Sequence, residues 1–115
     1  MNNMLSAENR LRKKIEVERA LRKGKSVFDD ACGFRFIKND MNFSRATVVV
    51  GTKLSKKAVV RNRLKRQYRD ILRQIWPEIS PGFDVVLFPG SKAIQKTHHE
   101  KLEALRLRMK KVGLC

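Results

Sequence analysis

The chain has 115 residues, enough for one domain built on one hydrophobic core. Its 27 Lys and Arg stand against 11 Asp and Glu, and the resulting +16 opposes folding by self-repulsion and points to a polyanionic partner. No apolar run approaches the ~20 residues of a membrane span. Met1 to Glu8 lack the pattern of a secretory signal, and Cys32 and Cys115 form neither a metal-type spacing nor a disulfide framework, so we expect two reduced thiols in a cytoplasmic protein.

Residues 1–13 are polar and basic around Leu5 and Leu11 and read as an arm that partly packs on the domain. Val17, Ala20 and Leu21 fall at helical spacing before Gly24, which predicts a helix over 15–23 with Gly24 at its C-cap. Residues 33–38 and 46–51 are rich in aromatic and β-branched types. With turn residues Asn39 to Asn42 between them, they predict an antiparallel hairpin, and Val27-Phe28 a short strand before it. Residues 56–76 carry the longest helical pattern. Ser55 is the expected N-cap, Val60, Leu64, Tyr68, Ile71, Leu72 and Ile75 share one face, and Pro77 ends it. A strand over 83–88 follows the Pro81-Gly82 turn. Thr97 and Glu100 fit a capping box for a last helix, with Leu102, Leu105, Met109 and Val112 inward and Gly113 closing it. The order α-β-β-(β)-α-β-α predicts a single-domain α+β sandwich over 1–115, with helices packed on a small, mostly antiparallel sheet.

Opposite the apolar stripe of helix 56–76 stand Asn62, Arg66, Arg69 and Arg73, flanked by Arg63 on one side and Arg61 and Lys65 on the other. Asp70 is the one acid in that block. A merely solvated face would mix signs at i,i+4 spacing. This one crowds cations whose repulsion a phosphate backbone would relieve. Arginine suits the task through its planar fork, and Asn62 offers both a donor and an acceptor. Further basic clusters lie at Lys53, Lys56 and Lys57, along Arg10 to Lys25, and at Arg106 to Lys111; the last also complements a helix dipole.

The run Lys57-Ala58-Val59-Val60-Arg61-Asn62-Arg63-Leu64-Lys65-Arg66 resembles the signature of bacterial ribonuclease P proteins, with its Arg-Asn-Arg core. Asn9-Arg10-Leu11-Arg12, Gly82-Phe83-Asp84-Val85-Val86 and Lys111-Val112-Gly113-Leu114 resemble the family's other segments in the same order. Met4-Leu5 resembles its usual start, which would make Met1 to Asn3 an extension. The resemblance implies a left-handed crossover through strand, long helix and strand, which handedness rules would not supply. It implies a protein subunit of ribonuclease P that binds a catalytic RNA and the 5′ leader of precursor tRNA, supporting endonucleolytic 5′ maturation of tRNA. It also implies that the catalytic groups and the Mg²⁺ belong to the RNA. It assigns Arg61, Asn62, Arg63, Lys65 and Arg66 to the catalytic RNA, and Arg69 and Arg73 continue the same ridge.

The resemblance also implies a leader cleft between the first helix and the sheet. Two helix positions where the family often has Phe are Val17 and Leu21 here, which leaves Phe36 as the expected aromatic platform, with Arg35 on the opposite face. Lys53, Lys57, Arg10 and Arg12 complete the expected leader set, although Thr52-Lys53-Leu54 stands where Ser-Lys-Lys is usual.

Nothing in the chain suggests catalysis of its own. His98 and His99 are adjacent and diverge on a helix, His98 near the apolar stripe as a packed residue. The acids are scattered rather than clustered for metal ions. No catalytic residue, protein-bound metal, resident cofactor, membrane contact or obligate protein partner is expected. A ribosomal-type RNA-binding protein without a catalytic assembly is the main alternative, because fold does not fix function. A DNA-binding protein is the second, although no recognition-helix pair or zinc spacing appears.

Overall fold

A computed structural model describes residues 5–115. Met1–Met4, and with them the expected extension and the Met4 start, lie outside the described residues. The elements are α1 (Lys14–Lys23), β1 (Lys25–Val27), β2 (Cys32–Lys38), β3 (Arg45–Val48), α2 (Ala58–Ile75), β4 (Phe83–Pro89) and α3 (His98–Lys111), with short 3-10 turns at Ala7–Asn9, Trp76–Glu78 and Ser91–Gln95. The α+β class read from the sequence is the class found.

The strand order is β1-β2-β4-β3, with β1/β2 and β2/β4 antiparallel and β3/β4 parallel. The expected hairpin between 33–38 and 46–51 therefore does not form, because β4 lies between the two strands. The reason is burial. Asp84, Val85, Val86 and Leu87 are covered on both faces, and a near-continuous apolar run belongs at the centre of a sheet. The segment after β2 turns toward β4 instead, where the Asn39 amide donates to the Gly82 carbonyl at 2.8 Å. β3 takes the outer position, and the arm extends it: Arg10 pairs with Ala46 in parallel register, and the Leu11 amide donates to the Ala46 carbonyl at 2.9 Å.

Alternation along the strands sends side chains to two layers. Cys32, Phe34, Phe36, Val48, Val85 and Leu87 face α2 and α3 in the main core. Val86, Ile37 and Phe88 face α1, where Leu11, Val17, Ala20 and Leu21 meet them. Gly24 lets α1 turn tightly into β1, since a Cβ there would fall 2.4 Å from the Ala20 carbonyl oxygen and 2.9 Å from that of Phe36.

The helix ends show what spacing alone misjudges. Lys57, not Ser55, is the N-cap of α2, with no side-chain cap; Ser55 Oγ accepts from the Lys57 amide instead. Thr97 and Glu100 form the full capping box. Val112 stays 37% exposed. Gly113, at φ +83°, folds the chain back so that Leu114 is buried in its place, its amide on the Met109 carbonyl. His98 is exposed rather than packed, its Nε2 3.6 Å from Asp70 Oδ2.

One buried ion cluster ties the smaller layer down. Arg45 donates through Nε and Nη2 to both oxygens of Asp84, at 2.9 and 2.8 Å, and through Nη1 to Glu16 of α1 at 2.8 Å. Asn39 adds a bond to Asp84 at 2.9 Å. The hydrogen bond to Asp84 is the main reason the Arg45 guanidinium pKa is pushed further up. Asp84→Ala leaves Arg45 without its bidentate partner beneath α1, and we expect a loss of about 3–5 kcal/mol of stability, read as a lower midpoint in urea unfolding.

Candidate nucleic-acid interface

α2 turns one apolar side inward through Leu64, Tyr68, Ile71, Leu72 and Ile75. Burial of each such side chain contributes about 1.5–3 kcal/mol, whereas each like-charge pair at i,i+3 or i,i+4 on the outer side costs about 0.2–0.5 kcal/mol. The stripe therefore holds the helix together in spite of its charge. Asn62, Arg63, Arg66 and Arg69 are exposed, and Arg61 and Lys65 are half-buried. Arg61 is steadied by donation from Nη1 to the Ser55 carbonyl at 2.8 Å.

Arg73 departs from the expected ridge. Its Nη2 donates to Asp70 at 2.8 Å, so the free ridge is Asn62, Arg66 and Arg69, about 10 Å long at ~1.5 Å per residue. Elsewhere Glu16 and Asp84 pair with Arg45, Asp30 with Lys92, Glu78 and Glu103 with Arg106, and Asp29 with Arg108. Two of the four cations at the end of α3, Arg106 and Arg108, are thus paired. Among the described residues, no carboxylate pairs with Arg61, Arg63, Lys65, Arg66 or Arg69. The start of α2 adds to this field. Its first turn holds no acid, and Lys53, Lys56 and Lys57 stand exposed around its unpaired amides. The outer side of α2 thus carries uncompensated positive charge of the kind that a phosphate backbone neutralises.

The expected leader residues do not gather in one place. Phe36 is buried in the main core, its ring 6.1 Å from those of Phe34 and Phe83, on the sheet face opposite α1. The parity is the reverse of the expected one: Arg35, not Phe36, shares a face with α1, and it donates to the Leu21 carbonyl. Val17 and Leu21 are half-buried along the α1 seam. Lys53 and Lys57 sit at the entry to α2, away from that seam. Arg10 and Arg12 line a separate hollow between the arm, β3 and α2, together with Arg69 of the ridge.

A groove of about 730 Å³ opens where α1 leaves the sheet. Leu21, Arg35 and Phe88 form part of its wall, with Phe28 at its edge 79% exposed. Asp29 at its side is already engaged, accepting from the Ala31 and Cys32 amides and from Arg108. Neither Phe28 nor Phe88 is among the leader residues expected from the sequence. The signal for Phe88 was its alternation with Asp84 and Val86, which becomes readable once α1 is known to cover that parity.

A family model described as ribonuclease P matches residues 5–113. The ribonuclease P protein component of Thermotoga maritima is 32% identical over 114 residues, covering 99% of this chain and 95% of that protein. Its Synechocystis counterpart is 41% identical over 71 residues, 62% of this chain and 57% of that protein, so the chain spans little more than half of that relative. The solved Thermotoga maritima protein superposes with a TM-score of 0.77 at 33% identity, covering 88% of this chain and 96% of that one. The Staphylococcus aureus protein, at 23% identity, shares the fold with a TM-score of 0.80, over 92% of this chain and 96% of that one.

Two variants separate core from surface. Phe36→Ala should cost about 3–5 kcal/mol of stability, measured by denaturant titration. Arg66→Ala should leave the unfolding midpoint unchanged and lower the salt slope of RNA affinity by about 1.

Proposed function

The chain belongs to the ribonuclease P protein family, and from that membership we propose that it is the protein subunit of a ribonucleoprotein endoribonuclease that removes the 5′ leader of precursor tRNA. The observation that carries this reading is the outer side of α2, where the Arg61-Asn62-Arg63 start and the exposed Arg66 and Arg69 remain without acidic partners. That surface docks on the catalytic RNA. Each phosphate it neutralises releases counterions, so the assembly needs less Mg²⁺ to hold its folded RNA together.

The chemistry belongs to the RNA and its Mg²⁺. The protein's contribution is charge and shape. Its carboxylates at Asp29, Asp70 and Asp84 serve internal pairs with Arg108, Arg73 and Arg45. The groove beside α1 receives the single-stranded leader. Phe88 and Phe28 offer ring faces to unstacked bases, a contact tolerant of sequence, and Arg35 supplies a cation at the same wall. Thus Phe88 takes the role expected of Phe36. The free thiols of Cys32 and Cys115 suit a reducing compartment, and we assign the protein to the cytoplasm.

The test is reconstitution with ribonuclease P RNA at low Mg²⁺, scoring leader removal with and without the chain. Stimulation of cleavage is expected, and its absence would refute the assignment. In the same assay Phe88→Ala should weaken precursor tRNA binding roughly 5–100-fold, the loss of one base stack of ~1–3 kcal/mol, and leave mature tRNA binding unchanged.

A further inference from the structure

The hollow between the arm, β3 and α2 adjoins the ridge at Arg69 and is separate from the groove beside α1. Its volume is about 230 Å³, below the ~300 Å³ at which pockets for drug-sized ligands begin, so it suits one ring or one sugar. Its inner wall is apolar, with Leu5, Leu11 and Leu72 all buried. Its rim carries Arg10, Arg12 and Arg69, and among the described residues no carboxylate lines it. Arg10 is held in place by donation from Nε to the Leu5 carbonyl at 3.0 Å.

An apolar wall beneath three guanidiniums is poorly matched to a bare hydrated anion, which gains nothing from leucines. It is matched to a group that is flat and apolar at one end and anionic at the other. Arg69 also stands on the ridge, so a strand whose phosphates lie along α2 brings its next sugar and base to this opening. We propose that the hollow takes a single unpaired nucleotide of the RNA docked on α2, its base against the leucine wall and its phosphate between Arg69 and the two arm arginines. Such a contact would tie the arm to α2 across the edge of β3 and recognise a bulged or looped nucleotide rather than a duplex, as single-stranded RNA recognition requires. This inference rests on the RNA-docking reading of α2.

Methyl NMR of the full chain titrated with AMP, adenosine and inorganic phosphate tests it. AMP should shift the methyls of Leu5, Leu11 and Leu72 and bind at least tenfold more tightly than phosphate or adenosine. Arg69→Ala, at an exposed position, should abolish that preference. Equal affinity for AMP and phosphate, or shifts confined to the groove beside Phe88, would overturn the proposal. A second arm uses the assembled ribonucleoprotein. Arg12 lines the hollow, is exposed and lies off the ridge, and Arg12→Glu reverses the charge at the rim. This variant should weaken affinity for ribonuclease P RNA about tenfold without changing the ratio of precursor to mature tRNA binding. A changed ratio would make the leader the occupant and contradict the proposal. Should that variant fail to fold, Arg12→Ala, exposed on the rim and off the ridge, carries the same two readouts with a smaller loss. If the wild-type chain stimulates leader removal but shows no preference for AMP, the pocket assignment falls and the family function stands. If AMP binds as described but cleavage is not stimulated, the functional reading falls and the nucleotide site stands.

Discussion

The structure depends on a conflict resolved along one helix. α2 carries a buried stripe, Leu64 to Ile75, and an outer side on which Arg61, Arg63, Lys65, Arg66 and Arg69 have no acidic partners among the described residues. The stripe wins because transfer of large apolar side chains outweighs repulsion between solvated guanidiniums several ångströms apart. The repulsion is tolerated rather than relieved, and it remains as affinity for a polyanion. The acids that relieve charge elsewhere are committed to Arg45, Arg73, Arg106 and Arg108. The distribution of the acids, more than the total of +16, is what leaves the start of α2 uncompensated.

The rest of the fold serves to present that face. β4 at the centre of the sheet gives α2 and α3 an apolar floor on one side and α1 a smaller one on the other. The parallel pairing of β3 with β4 places α2 as the connection between them. The Glu16–Arg45–Asp84 cluster anchors the start of α1, and Gly24 closes its far end against β2. Between these fixtures lie the groove beside α1 and the hollow between the arm, β3 and α2. Both lie next to arginines whose guanidiniums are held by backbone carbonyls, Arg35 on Leu21 and Arg10 on Leu5.

Local features were legible in the sequence because local chemistry decides them. The capping box at Thr97, the stripe of α2 and the apolar strand at 83–88 each follow from neighbours within a few residues. Strand order did not, since a turn-rich link such as Asn39 to Asn42 serves a hairpin and a longer route equally well. Period-two alternation showed that Phe34 and Phe36 share a face but not which helix covers it. Without that fact Phe36 is expected on the α1 side, where the structure places Phe88. The pairing of Arg73 with Asp70 at i−3 is a local contact that the charge pattern alone does not rank against exposure on the ridge.

The central claim is that the α2 arginines are open in the free protein and covered by RNA phosphates in the complex. Arginine-selective labelling with phenylglyoxal, read by mass spectrometry in the presence and absence of ribonuclease P RNA, measures this residue by residue. The account predicts that Arg63, Arg66 and Arg69 react in the free chain and are protected in the complex, while Arg45 is unreactive in both. Persistent labelling of Arg63, Arg66 and Arg69 in the RNA complex would contradict it.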